Sequence, residues 1–317
     1  IMTVWIIFLI AISIFLALDL GVFNKNPHII SSKEASKWTI LWVTLSFMFS
    51  GVVYLLYSGN HIENPTNLKP LEASIKFITG YLIELSLSAD NIFVIAIIFA
   101  SFKIPQKYQH RVLFWGIIGA IVFRGLMIFL GVALINRFEW IIYVFGAFLI
   151  FTAMKMLFSK EEEEEFDPKD SKIYKFIGKI FPVHTEIEGQ KFFIRKDNIN
   201  YVTPLFIALI VIEVMDVIFA LDSVPAILAI TSDPFLVFSS NIFAILGLRS
   251  MYFFLANMIE KFSYIEYSLI AILTFVGIKM LLIHHFPEFF PEWLSLAFIA
   301  LSITLGVVVS LQKNKDK

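Results

Sequence analysis

The chain has 317 residues, 58% of them hydrophobic and only 16% charged, with 35 Phe, a net charge of −1 and no Cys. An ordinary soluble domain is about 25% charged, so most of this apolar surface is expected to face lipid. The charge balance excludes a basic nucleic-acid binder, and the lack of Cys excludes disulfides, thiolate metal sites and thiol catalysis.

About 20 consecutive apolar residues cross a bilayer core. Nine windows of that kind follow in chain order, roughly 2–20, 37–58, 71–101, 110–135, 138–158, 202–231, 236–258, 263–284 and 292–311. The first has no basic n-region and is expected to be a transmembrane helix, not a cleaved signal peptide. It closes near Asp19, where a capping or interfacial role competes with a site role. The third carries Glu84-Leu-Ser-Leu-Ser-Ala-Asp90, followed by Asn91; the sixth carries Glu213, then Asp216-Val-Ile-Phe-Ala-Leu-Asp222 and Pro225. A carboxylate at the centre of a membrane helix costs about 2.5–3.5 kcal/mol even on the lenient insertion scale, and such residues are functional by default. Between the fifth and sixth windows lies the only extended polar segment. Its run Glu161 to Glu165 reads as solvated linker, and a short amphipathic helix is expected near Lys172–Phe181.

With nine spans, the loops near 21–36, 102–111, 159–200 and 259–262 share a face with the C-terminal tail. They hold most of the 25 basic residues. The positive-inside rule then places the N-terminus outside and the C-terminus in the cytoplasm. The sequence also repeats itself. Arg124-Gly-Leu-Met-Ile-Phe-Leu matches Arg249-Ser-Met-Tyr-Phe-Phe-Leu, and Phe151-Thr-Ala-Met-Lys155-Met matches Phe275-Val-Gly-Ile-Lys279-Met, each at the same distance in spans from an acidic helix. The expected organisation is a two-helix extension over 1–70, a three-helix repeat over 71–158 and a charged cytoplasmic loop over 159–201. A second repeat over 202–284 and a terminal helix with its tail over 285–317 complete it. Because three is odd, the second repeat enters from the opposite side, which gives an all-α polytopic protein with inverted repeats and a midplane site between them.

Residues six apart on a straight helix diverge by about 120°. Pro225 removes a backbone hydrogen bond, so helix breaks are expected near Asp90 and Asp222, bringing Glu84, Asp90, Asn91, Glu213, Asp216 and Asp222 together as oxygen ligands. Arg124, Lys155, Arg249 and Lys279 would pair with them or gate them. Such ligands suit hard cations, Mn²⁺, Mg²⁺ or Ca²⁺, and the absence of Cys and of mid-span His disfavours Zn²⁺ and Cu⁺. A carboxylate site also binds protons, so proton antiport is the natural coupling. No resident cofactor is expected, and without a nucleotide-binding loop or nucleophile elbow neither is an enzyme.

The segments ELSLSADNIFVI from Glu84, EVMDVIFALDSVPAI from Glu213 and Leu18-Asp19-Leu20-Gly21 resemble the TerC family, most closely its Alx-type bacterial members. The likeness covers nearly the whole chain. It implies a multi-pass bacterial inner-membrane protein related to the LysE-type exporters and associated with manganese efflux. Its functional positions fall on Glu84, Asp90, Glu213, Asp216 and Asp222. The choice of Mn²⁺ over Ca²⁺ or Mg²⁺ rests on this resemblance alone. The rival expectation is an integral-membrane assembly or stress factor, whose charged spans bind partner helices and transport nothing. The divalent ion and the lipid bilayer are the expected partners; protein partners stay open.

Overall fold

The computed structural model describes residues 2–21, 30–138, 140–158, 172–184, 186–196, 198–256 and 264–313. In chain order these form α1 (Met2–Gly21), α2 (Ser32–Ser58), α3 (Pro70–Ser101), α4 (Gln106–Arg137), α5 (Ile141–Phe158) and α6 (Lys172–Ile180). There follow β1 (Phe193–Lys196), β2 (Ile199–Val202), α7 (Pro204–Leu228), α8 (Pro234–Ala256), α9 (Ile265–Leu282) and α10 (Glu292–Lys313). Nine long helices among the described residues therefore stand at the nine apolar windows, and α6 is the short amphipathic helix. Among the described residues, α2, α3, α4, α5, α7, α8 and α10 are long and apolar enough to cross a membrane, and α1 adds a shorter apolar run, Met2–Leu18.

Local chemistry sets the helix starts. The Ser31 hydroxyl accepts the Glu34 amide at 3.3 Å, so α2 begins a turn before its apolar window. Pro opens α3, α7 and α8, where its missing N–H costs nothing. The α6–β1 segment was legible only in part. The hairpin turns at Asn198, which adopts φ 64°, a conformation Asn tolerates better than most residues.

Packing fixes the relative helix directions. In α4 and α7, Gly116 faces Ile212, Gly119 faces Glu213 and Gly131 faces Val224, so the two helices run parallel. The α3 and α8 helices are also parallel, with Phe77 against Phe243 and Phe99 against Tyr252. The α5 and α9 helices are antiparallel and cross where Gly146 and Gly277 each present a carbonyl to the other's Cα; small residues allow this close approach. Exchanging α3-α4-α5 for α7-α8-α9 maps the α3–α8 contact onto α7–α4 and returns α5–α9 to itself. These directions agree with alternate crossings of all nine long helices, with α6 left out. Helix α8 is almost wholly buried, whereas Ile6, Ile10, Ile40, Phe129, Phe151 and Leu301 form an apolar outer surface.

One expectation is corrected. Helix α3 passes through Asp90 unbroken, and α7 passes through Asp222 and Pro225 to Leu228. Pro225 lies in the last turn of α7, where a missing amide forfeits a single bond rather than splitting the helix.

Just beyond that last turn, the connection to α8 is held by a buried polar cluster. Asp233 accepts the amides of Phe235 at 3.0 Å and Leu236 at 3.2 Å, capping α8, and Lys76 of α3 donates to the Ile230 carbonyl at 3.2 Å. Burial pushes the Asp233 carboxyl above its ordinary range, against the opposing pull of Tyr57, the two amides and Lys76. A raised carboxyl favours the protonated folded form, so its contribution to stability is greatest at low pH. That contribution is lost as pH rises from the ordinary carboxylate value through the folded one. Asp233→Asn keeps the cap and should flatten this pH dependence, whereas Asp233→Ala should cost about 1 kcal/mol. Thermal unfolding in detergent micelles across the acidic range checks both.

Candidate cation site

The α4 side chain Arg124 is 1% exposed and lies between α3 and α7. Its Nε donates to Asp216 Oδ2 at 3.1 Å and its Nη2 donates to Asp216 Oδ1 at 2.6 Å, the bidentate fork that guanidinium and carboxylate favour. Its Nη1 pairs with Glu84 Oε1 of α3. Asn91 follows Glu84 by seven residues and so shares its helix face. With its amide assigned by hydrogen bonding, Asn91 donates to the Leu87 carbonyl and accepts from Arg124 Nη2, both at 3.2 Å. Glu84 precedes Asp90, and Asp216 precedes Asp222, by the same interval. One cation thus holds the equivalent carboxylates of the two repeats.

Glu213 stands one turn before Asp216. Its carboxylate lies on Gly119 of α4, where a Cβ would overlap it, and its Oε2 is buried without a hydrogen-bond partner among the described residues. A narrow cavity runs beside Asn91 and Asp216, walled by Leu113, Ile117, Ile212 and Met215. Asp222 turns the other way, as a straight helix requires. It accepts the Thr152 hydroxyl of α5 at 3.0 Å, within electrostatic reach of Lys155 one turn further on. The six-residue interval separates Asp216 from Asp222 by about 9 Å along the axis. The carboxylates therefore form two groups, one on α4 and one on α5.

Arg249 and Lys279 also touch helices outside the repeats. Arg249 lines a small cleft with Glu34, Trp38 and Trp42 of α2, and Lys279 donates to Ser295 of α10 at 2.9 Å. Helix α2 packs against α3 and α8, and α10 against α9 and α3, so the second repeat's basic residues also border helices that lie outside the repeats. Asp19 and Asp90 lie in α1 and α3, but their side chains, like the run Glu161 to Glu165, fall outside the described residues. Among the described residues, no three Asp, Glu or His side chains converge as a metal-binding group. Gly119 and Thr152 escaped the sequence reading. The paired glycines Gly116 and Gly119 in α4 were the available signal for room beside a carboxylate.

With this geometry in place, comparison with known proteins assigns the lineage. Residues 70–317 match the family model described as integral membrane protein TerC family. The chain belongs to the TerC family. An uncharacterized membrane protein of Myxococcus xanthus is 45% identical over 98% of this chain and 92% of its own length, and one from Rickettsia bellii is 45% identical over 98% of both. The Alx protein of Salmonella typhi, provisionally described as a membrane-bound redox modulator, is 42% identical over 99% of this chain and 96% of its own. No solved structure matches the chain.

The central ion triad makes a direct stability prediction. Removing one partner of a buried pair leaves an uncompensated charge and costs about 3–5 kcal/mol, whereas replacing all partners by neutral groups is often tolerated. Arg124→Met should therefore lower thermal stability sharply in micelles. The triple variant Glu84→Gln, Arg124→Met, Asp216→Asn should recover most of the loss.

Proposed function

We propose that this TerC-family protein exports divalent cations, Mn²⁺ foremost, from the bacterial cytoplasm across the inner membrane. Its N-terminus lies outside and its C-terminus inside, and its site sits between inverted repeats at 71–158 and 202–284. The observation that carries this reading is the Arg124 guanidinium held between Glu84 and Asp216. The guanidinium occupies the place of a cation. When it withdraws, two carboxylates and the Asn91 amide oxygen are left facing one another, a donor set suited to a hard divalent ion. Asp90, Glu213 and Asp222 supply further oxygens as the ion moves along α3 and α7. Lys155 and Arg124 neutralise the empty carboxylates, and protons taken up by the same groups would drive the return half of the cycle. A redox influence of the kind ascribed to the Alx relatives would act here through the exported ion, because the chain has no Cys to carry a thiol step.

Lys279 supports the rival reading in one respect: it donates to Ser295 of α10, a contact between helices. An assembly factor predicts stable co-purifying partners and tolerance of neutral substitutions at the acidic positions. Export predicts that Asp216→Asn and Asp222→Asn insert normally in proteoliposomes but lose Mn²⁺ flux under an imposed pH gradient. Gly119→Ala, whose Cβ would meet the movable end of Glu213 first, should slow flux with little change in thermal stability. Wild-type protein that moves no Mn²⁺ in this assay would overturn the proposal.

A further inference from the structure

Helix α6 is a nine-residue segment, Lys-Ile-Tyr-Lys-Phe-Ile-Gly-Lys-Ile, with three distinct faces. Ile177 is 7% exposed and belongs to the same apolar cluster as Val202 and Leu205, so one face rests on the start of α7. The adjacent stripe is apolar yet uncovered: Phe176 is 64% exposed, Ile180 54%, and the following Phe181 44%. Lys175 and Lys179 occupy the third face, one turn apart and both exposed.

Position decides what covers the apolar stripe. Helix α6 packs against α7, and α7 enters its membrane-spanning stretch at Pro204, so α6 lies at the depth where the span begins. An apolar stripe beside a lysine stripe, lying across the end of a span, is the arrangement of an interfacial helix. Its apolar side sinks into the acyl boundary and its lysines meet headgroups. We propose that α6 is a lipid-binding anchor, with Phe176, Ile180 and Phe181 in the bilayer interface and Lys175 and Lys179 on the phosphates of anionic glycerophospholipids. The positive charge argues for anionic over neutral headgroups.

The anchor is mechanically tied to the carboxylate helix. Just after α6, the Val202 amide donates to the Pro182 carbonyl at 3.0 Å, and the His184 amide donates to the Val202 carbonyl at 2.9 Å. Val202 ends β2, and two residues later α7 begins. The Thr203 hydroxyl donates to the Lys191 carbonyl at 2.8 Å and closes the strap over the same end. Anionic lipid held by α6 therefore braces the end of the helix that carries Glu213, Asp216 and Asp222. The lipid anchor is independent of what that helix transports.

Because the chain has no Cys, a nitroxide can be attached at one chosen position of the full-length protein. Phe176→Cys, Ile180→Cys and Lys179→Cys variants would be reconstituted separately into vesicles of phosphatidylcholine alone or mixed with phosphatidylglycerol. Accessibility to oxygen and to a water-soluble nickel chelate would then be read by electron paramagnetic resonance. Labels at 176 and 180 should be oxygen-accessible and shielded from nickel in anionic vesicles, with the label at 179 showing the reverse. That contrast should fall several-fold in neutral vesicles. It should likewise fall when Lys175→Glu and Lys179→Glu are added to the Phe176→Cys protein. Equal nickel access at 176 and 179 would overturn the anchor. Equal shielding of 176 in both lipids, which a protein cover would also produce, would overturn the anionic-lipid assignment.

Discussion

A guanidinium buried between two carboxylates from different helices is the constraint around which the rest of the molecule is arranged. Arg124 satisfies Glu84 and Asp216 at once, and in a membrane interior none of the three could be left alone without a cost of several kcal/mol. This requirement fixes the rotation of α3, α4 and α7 about their axes. The parallel course of α4 and α7 follows at Gly119, where the second helix lays Glu213 directly on the first. The triad is therefore a structural lock, and its two carboxylates against one guanidinium leave one excess negative charge. A lock of this kind can open, because the buried groups that hold it together are those that would grip an incoming ion in its place.

The repeats are similar in sequence but unequal in surroundings. Under exchange of the two triplets, Glu84 corresponds to Asp216 and Arg124 to Arg249, and Arg124 holds the acidic pair. Arg249 is drawn into the cleft at α2 and Lys279 to Ser295 on α10. The first repeat supplies one strong clamp on α4 and a looser contact on α5, where Thr152 and Lys155 attend Asp222. An ion passing from Asp216 to Asp222 would move between these unequal groups along a single helix, in steps, and would not occupy one symmetrical cage.

Much of this was legible in the sequence. Apolar windows located the long helices because lipid leaves the chain few other ways to satisfy its backbone, and the expense of intramembrane charge marked Glu84, Asp216, Asp222 and Arg124. Helical geometry also foretold that Asp216 and Asp222 would diverge. The expected break that would have reunited them did not occur, because carboxylates from separate helices can meet at Arg124 without any unwinding. The different fates of Arg124 and Arg249 were not legible, since they depend on which neighbour covers each face. Gly119 and Thr152 were missed for the same reason: their importance lies in what stands opposite them, and a single sequence does not contain that.

On the proposed function, Arg124 and a divalent cation compete for Glu84 and Asp216. Isothermal titration of Mn²⁺ into purified wild-type protein and an Arg124→Gln variant, at matched pH in the same detergent, measures that competition. Competition predicts tighter Mn²⁺ binding by the folded variant, and still tighter binding is not expected when Asp216→Asn is added. Unchanged or weaker binding in a folded Arg124→Gln protein would contradict the account.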